Sequence, residues 1–204
     1  MREINLPITQ TYSITLDEAM FDVSKAVDMG NGRRAIPLGV VVDDKITAMV
    51  ETARRNGGKI LYATTSIEQA LESILIKYFM GPFVGHDDRR VMFEYEVLQS
   101  SALSFRTKKE LVIKIINQNN LLNGKKKDAV QRHLKKIMEW RNAFAHGKIQ
   151  HDTKMGCFVC YYSGETKTLT LDGHHWDEVE KVFRECVALL NETEKQLQNR
   201  QCST

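Results

Sequence analysis

The chain has no apolar run long enough to span a bilayer, which would take about 20 residues. Its first residues, Met1-Arg2-Glu3-Ile4-Asn5, hold no apolar signal-peptide core. Its four cysteines are scattered, so no disulfide framework is expected, and a reduced, cytoplasmic setting with no membrane partner is. There is no internal repeat and no low-complexity segment. Gly30-Asn31-Gly32 is followed by Arg33-Arg34 rather than Lys-Ser/Thr, which excludes a phosphate loop. No cysteine sits beside a histidine in a nucleophilic pattern. Net charge is only +3, too mild to establish a nucleic-acid partner by itself.

Two metal readings also fail. Cys157 and Cys160 are three apart in a strand-like run, so their thiols point to opposite faces, and His174 or His175 supplies no properly spaced second pair. His86-Asp87-Asp88 are adjacent loop residues, which seldom converge on one ion. No metal and no cofactor is expected.

What remains is an ordinary globular composition, 42% hydrophobic and 27% charged over 204 residues, with strong helical periodicity. A strand is expected within Ile4–Ile14, a helix over Leu16–Met29 and a short strand or helix entry at Leu38–Val42. Asp43 or Asp44 then caps a helix through Arg55, with Ile46, Met49, Val50 and Ala53 inward and Gly57-Gly58 as its stop. A capping box, Thr65 with Glu68 or Ser66 with Gln69, opens the next helix on Ile67, Leu71, Ile74 and Leu75. Helical signal resumes over Phe93–Leu103. Thr107 with Glu110 opens another helix, and Asn117–Gly124 is a polar break. Residues 157–162 and 167–171 alternate around Ser163-Gly164 as a β-hairpin. The last helix covers Trp176–Leu197, with Val179, Val182, Phe183, Cys186, Leu189 and Leu190 inward.

The stretch with most chemical content closes the helix after the polar break. Val130, Leu134, Ile137, Met138, Phe144 and Ala145 form its expected apolar stripe, and Gly147 in a left-handed conformation is its expected stop. Lys125, Lys126, Lys127, Arg132, Lys135, Lys136 and Arg141 concentrate positive charge on it. Of these, Lys127, Arg132, Lys135 and Lys136 are the candidate RNA-tracking residues, against a merely solvated face. Arg141 falls within the stripe, where a guanidinium needs a carboxylate, a phosphate or a wet cleft. Glu68 or Glu72 could supply the carboxylate, and Glu68 is the preferred supporting residue. Glu139, Asn142 and His146 share a neighbouring face. Arg141 and His146 are five apart, about 140° around an ideal helix. To converge, the arginine must bend round, the last turn must distort, or a second chain must bring a matching pair. The negative end of the helix dipole favours a cation at His146, and an arginine beside a cationic histidine suits phosphate.

Arg141-Asn142-Ala143-Phe144-Ala145-His146-Gly147 resembles the Arg-x(4–6)-His signature of the HEPN superfamily, in its Arg-Asn-x-x-Ala-His-Gly form near the end of a late helix. The resemblance covers helix order over residues 61–200, and only the motif is specific. It implies a mainly α fold: a HEPN-like helical bundle over 61–200, a small β-hairpin near the C-terminus, and an N-terminal α/β extension over 1–60. It further implies a metal-independent endoribonuclease acting as a homodimer, with Arg141, His146 and Asn142 as catalytic candidates in a shared cleft. RNA is the implied substrate, and an antitoxin protein is a candidate partner in a toxin–antitoxin or phage-defence setting. A toxin branch of the family has a tyrosine two residues past the histidine; Lys148 stands there, so membership of that branch is not implied. Many HEPN-like domains are non-catalytic, and the competing reading is a module that holds RNA or a nucleotide without cutting it.

Overall fold

The structure is a computed structural model and describes residues 14–15, 27–28, 30, 34–35, 44–81, 88–100 and 103–201. In chain order the elements are β1 (Ile14–Thr15), β2 (Val27–Asp28), β3 (Arg34–Ala35), α1 (Asp44–Met80), α2 (Asp88–Met92), a π-helical turn (Phe93–Leu98), α3 (Phe105–Gln118), α4 (Gly124–His146), β4 (Lys148–Asp152), β5 (Gly156–Tyr162), β6 (Thr166–Thr170) and α5 (Gly173–Gln201). The protein is mainly helical, with a small antiparallel sheet of β4, β5 and β6 towards the C-terminus. The expected elements over Ile4–Ile14, Leu16–Met29 and Leu38–Val42 lie outside the described residues, apart from Ile14 and from Val27–Asp28, which pair as strand instead of helix. His86 and Asp87 lie outside them as well.

Two compact units make up the chain: Met1–Gly57 with His146–Asp172, and Gly58–Ala145 with Gly173–Thr204. In the first, β1 pairs parallel with β4, which pairs antiparallel with β5, and β5 with β6. The β4–β5 turn is set by Asp152, whose Oδ1 accepts from the backbone N–H groups of Lys154 and Met155 at 2.8 and 2.9 Å, with Gly156 following at φ +75°. Those two bonds hold the Asp152 carboxyl below its usual range. Cys157 and Val159 point to a buried face. Strand β4 is absent from the periodicity, because Lys148-Ile149-Gln150-His151-Asp152 has a single aliphatic residue and is held by its pairing with β5.

In the second unit the helices bury Ile67, Leu71, Ile74, Leu75, Val112, Ile116, Leu134, Ile137 and Leu190. Lys108 of α3 is buried and reaches both Glu68 and Glu72 of α1 at 2.6 Å. Burial alone would lower the Lys108 pKa; the hydrogen bonds and charges of the two carboxylates outweigh it and leave it raised. Glu194 of α5 accepts from Ser73 and Lys77 of α1. Arg200 of α5 donates to the carbonyl oxygens of Asn119 and Asn120, which close α3.

Several helix ends differ from the sequence reading. The helix from Asp44 does not stop at Gly57-Gly58 but continues to Met80. Its buried residues, Val50, Ala53, Gly57, Ile60, Thr64, Ile67, Leu71 and Ile74, alternate in steps of three and four without a break, and that continuous stripe outweighs the cost of glycine. The Thr65–Glu68 capping box is therefore mid-helix, where the Thr64 and Thr65 hydroxyls donate to the carbonyls of Ile60 and Leu61. Ser104, not Thr107, caps α3, accepting from the Thr107 N–H at 3.3 Å. The helix expected over Phe93–Leu103 is instead the short α2 and the π turn.

Candidate functional site

Helix α4 carries the motif at its C-terminal end. Its core stripe is Val130, His133, Leu134, Ile137, Trp140 and Ala143. Trp140 stacks with Phe183 of α5 at 6.4 Å between ring centroids, and Phe144 stacks with Trp176 at 6.1 Å. Met138 and Ala145, expected inward, are half-buried and exposed, while His133 and Trp140 take their place. The stripe therefore sits one position round from its expected track, anchored by the tryptophan.

This shift matters for Arg141. The residue follows Trp140 by one, about 100° round the helix, and is exposed rather than buried. It needs no carboxylate. Glu68 and Glu72, the proposed acidic partners, are instead engaged by Lys108. The Arg141 Nη1 donates to Asn142 Oδ1 at 3.1 Å. The guanidinium is thus drawn sideways onto the face of the helix that Asn142 occupies. That face bears Arg132, Lys135, Glu139, Asn142 and His146 in steps of three, four, three and four, so each lies beside the next. Four of the five are exposed and Asn142 is half-buried. His146 is the last residue of α4. Gly147 ends the helix without a left-handed conformation, since the glycines with positive φ among the described residues are Gly30, Gly81, Gly156 and Gly164. The chain passes directly into β4.

The arrangement offers a guanidinium fork, an amide and an imidazole to solvent within two turns of one helix. Arg141 has donors left over for a phosphate oxygen after its bond to Asn142. No group of three or more His, Cys, Asp or Glu side chains suited to a metal ion occurs among the described residues. Cys157 is buried and Cys160 half-buried, consistent with opposite faces of β5. Burial pushes the Cys157 thiol up, and Cys186, in the core of α5, is pushed up to about 12, which leaves no reactive thiolate at either.

The basic charge of α4 is partly spent. Lys126 pairs with Glu192 of α5 at 2.6 Å and Lys136 with Glu178. The Lys136 ammonium holds the Glu178 carboxyl below its ordinary range. Among the candidate RNA-tracking residues, Arg132 and Lys135 remain exposed and without an ion pair, and Lys127 is half-buried.

A second polar centre was missed by the sequence reading. His133 is buried, its Nε2 lies 3.2 Å from Glu185 Oε2, and its Nδ1 is buried without a hydrogen-bond partner. The signal was present: His133 follows Val130 by three and precedes Ile137 by four. Burial lowers its pKa, outweighing the Glu185 carboxylate, and Arg132, Lys136 and Lys181 add to the lowering.

No helix among the described residues is long and apolar enough to cross a membrane. Comparison with protein-family models, with curated proteins and with solved structures returns no match for this chain.

Proposed function

We propose that this chain is a HEPN-type endoribonuclease that cleaves single-stranded RNA, with Arg141, Asn142 and His146 as its working residues. The observation that carries the reading is the Arg141–Asn142 hydrogen bond at 3.1 Å, which draws the guanidinium towards the helix face that bears His146. Arg141 has neither a carboxylate partner nor a buried site, so its remaining donors are open to a phosphate.

The chemistry follows from the residue types. The 2′-hydroxyl oxygen attacks phosphorus, its proton passing to a base. The P–O5′ bond breaks as the leaving oxygen takes a proton from an acid, giving a 2′,3′-cyclic phosphate and a 5′-hydroxyl. His146 transfers protons, because imidazole titrates in the working range. Arg141 meets the charge that builds on the pentavalent phosphate, with donors matched to its oxygens. Asn142 orients the guanidinium. In the dimer that the resemblance implies, the partner's Arg141 and His146 line the same cleft and shorten the gap left by their five-residue separation. The same reading places the protein in the cytoplasm, in a toxin–antitoxin or defence setting.

Product chemistry separates enzyme from module. Incubation with a 5′-labelled single-stranded RNA in EDTA is expected to give labelled fragments ending in 2′,3′-cyclic phosphate. Intact RNA that still comigrates with the protein supports a non-catalytic binding module instead.

A further inference from the structure

Beside the motif, α4 and the first turns of α5 enclose an open groove of about 370 Å³. Its walls carry charges of both signs on aliphatic stems, with Val182 among them. Arg132, His133 and Lys136 come from α4, and Asp177, Lys181 and Glu185 from α5. Two interhelical pairs fix the frame. Lys136 holds Glu178, and the buried His133 holds Glu185. His133 Nε2 lies 3.2 Å from Glu185 Oε2 with its Nδ1 unpartnered, which leaves the second Glu185 carboxylate oxygen open to accept. No ion pair engages Arg132, Lys181 or Asp177. The groove therefore presents two free cations and two carboxylate acceptors side by side, in a volume within the range of small-ligand sites.

Arg132 also stands on the face that carries Asn142. Ten helical residues separate them, about 15 Å along the axis. Single-stranded RNA running along that face spans this distance with about four nucleotides at the 3.4 Å spacing of stacked bases. We infer that the groove is a base-reading subsite: a phosphate of the strand meets Arg132 and Lys181, while N–H groups on the edge of one splayed base donate to Asp177 and Glu185. Sequence-specific RNA recognition commonly works on such unstacked bases, read by hydrogen bonds at their edges. The inference rests on the RNA reading above and adds to it where base preference is set.

The test uses 2′-O-methyl decanucleotides, which lack the attacking hydroxyl and so report binding alone. Four 5′-fluorescein homopolymers are titrated against the full chain by fluorescence anisotropy at fixed salt. Wild type is expected to prefer the best over the worst by tenfold or more. Asp177→Ala is expected to compress that ranking to within about threefold. Lys181→Glu is expected to weaken all four by about tenfold. Unchanged helical circular dichroism qualifies each variant, and if one fails to fold the other carries the test. Equal binding of all four by wild type, a ranking untouched by Asp177→Ala, or affinities untouched by Lys181→Glu overturns the subsite. Selective binding by a protein that never cuts unmodified RNA leaves the subsite standing and sinks the ribonuclease reading. Cutting without base preference does the reverse.

Discussion

At the scale of single residues, the same helix holds two histidines in opposite situations. His146 is exposed at the end of α4. His133 is buried with one nitrogen on Glu185 and the other unsatisfied. The His133 pKa is lowered in the folded state, so the unfolded chain binds the proton first as pH falls below about 6.5. The stability contributed by neutral His133 is present above that pH and is lost as pH falls through the depressed folded value. The melting temperature of wild type is therefore expected to drop more between pH 7.5 and 5.5 than that of His133→Gln. Parallel drops would show that His133 does not set the acid sensitivity. The arginine shows how far residue types alone could be read. Arg141, Asn142 and His146 are candidates by their order in the sequence, but their exposure does not follow from it. The apolar spacing put Arg141 in the stripe, and only Trp140 packing on Phe183 turned the helix away from that register. Likewise Lys108 left no periodic signal as the partner of Glu68, because an ion pair 40 residues apart depends on how α1 and α3 pack.

At the scale of elements, periodicity located most helices and misjudged their ends. Gly57-Gly58 reads as a stop, yet α1 runs through it, because the buried residues on either side keep one helical phase. Gly58 is exposed, and a Cβ there would meet nothing within 4 Å. Gly58→Ala is thus expected to stabilise the protein by about 0.5–1 kcal/mol, from the reduced freedom of the unfolded chain and better helix propensity. A rise in melting temperature of about 2 °C would be the readout. A fall would mean that the chain breaks at this dipeptide after all. Strand β4 marks the opposite limit. Pairing with a neighbour specifies it, and a window on its own five residues does not contain that information. The end of α4 was legible at Gly147, but for a different reason than the left-handed stop expected there. Pairing of the next residue, Lys148, with Cys160 draws the chain into strand at once.

At the scale of the whole molecule, the mainly helical class and the hairpin were legible because amphipathic stripes and alternation repeat over many residues. The groove between α4 and α5 was not, since it joins residues about 50 positions apart whose charges look like ordinary solvated helix faces. The five-residue separation of Arg141 and His146 leads to an expectation at this scale. If a dimer shares one cleft, mixing Arg141→Ala protein with His146→Ala protein should recover cleavage that neither shows alone, because one composite cleft regains both groups. A mixture as inactive as its parts would mean that each protomer works by itself. The central claim, that these two side chains cut RNA, is tested most directly by initial rates on one labelled single-stranded RNA in EDTA. The account predicts cleavage by wild type and a loss of about 100-fold or more in each of Arg141→Ala and His146→Ala, the size typical of removing a proton-transfer or charge-stabilising group. Folded variants that cut as fast as wild type would contradict it, as would a wild type that does not cut.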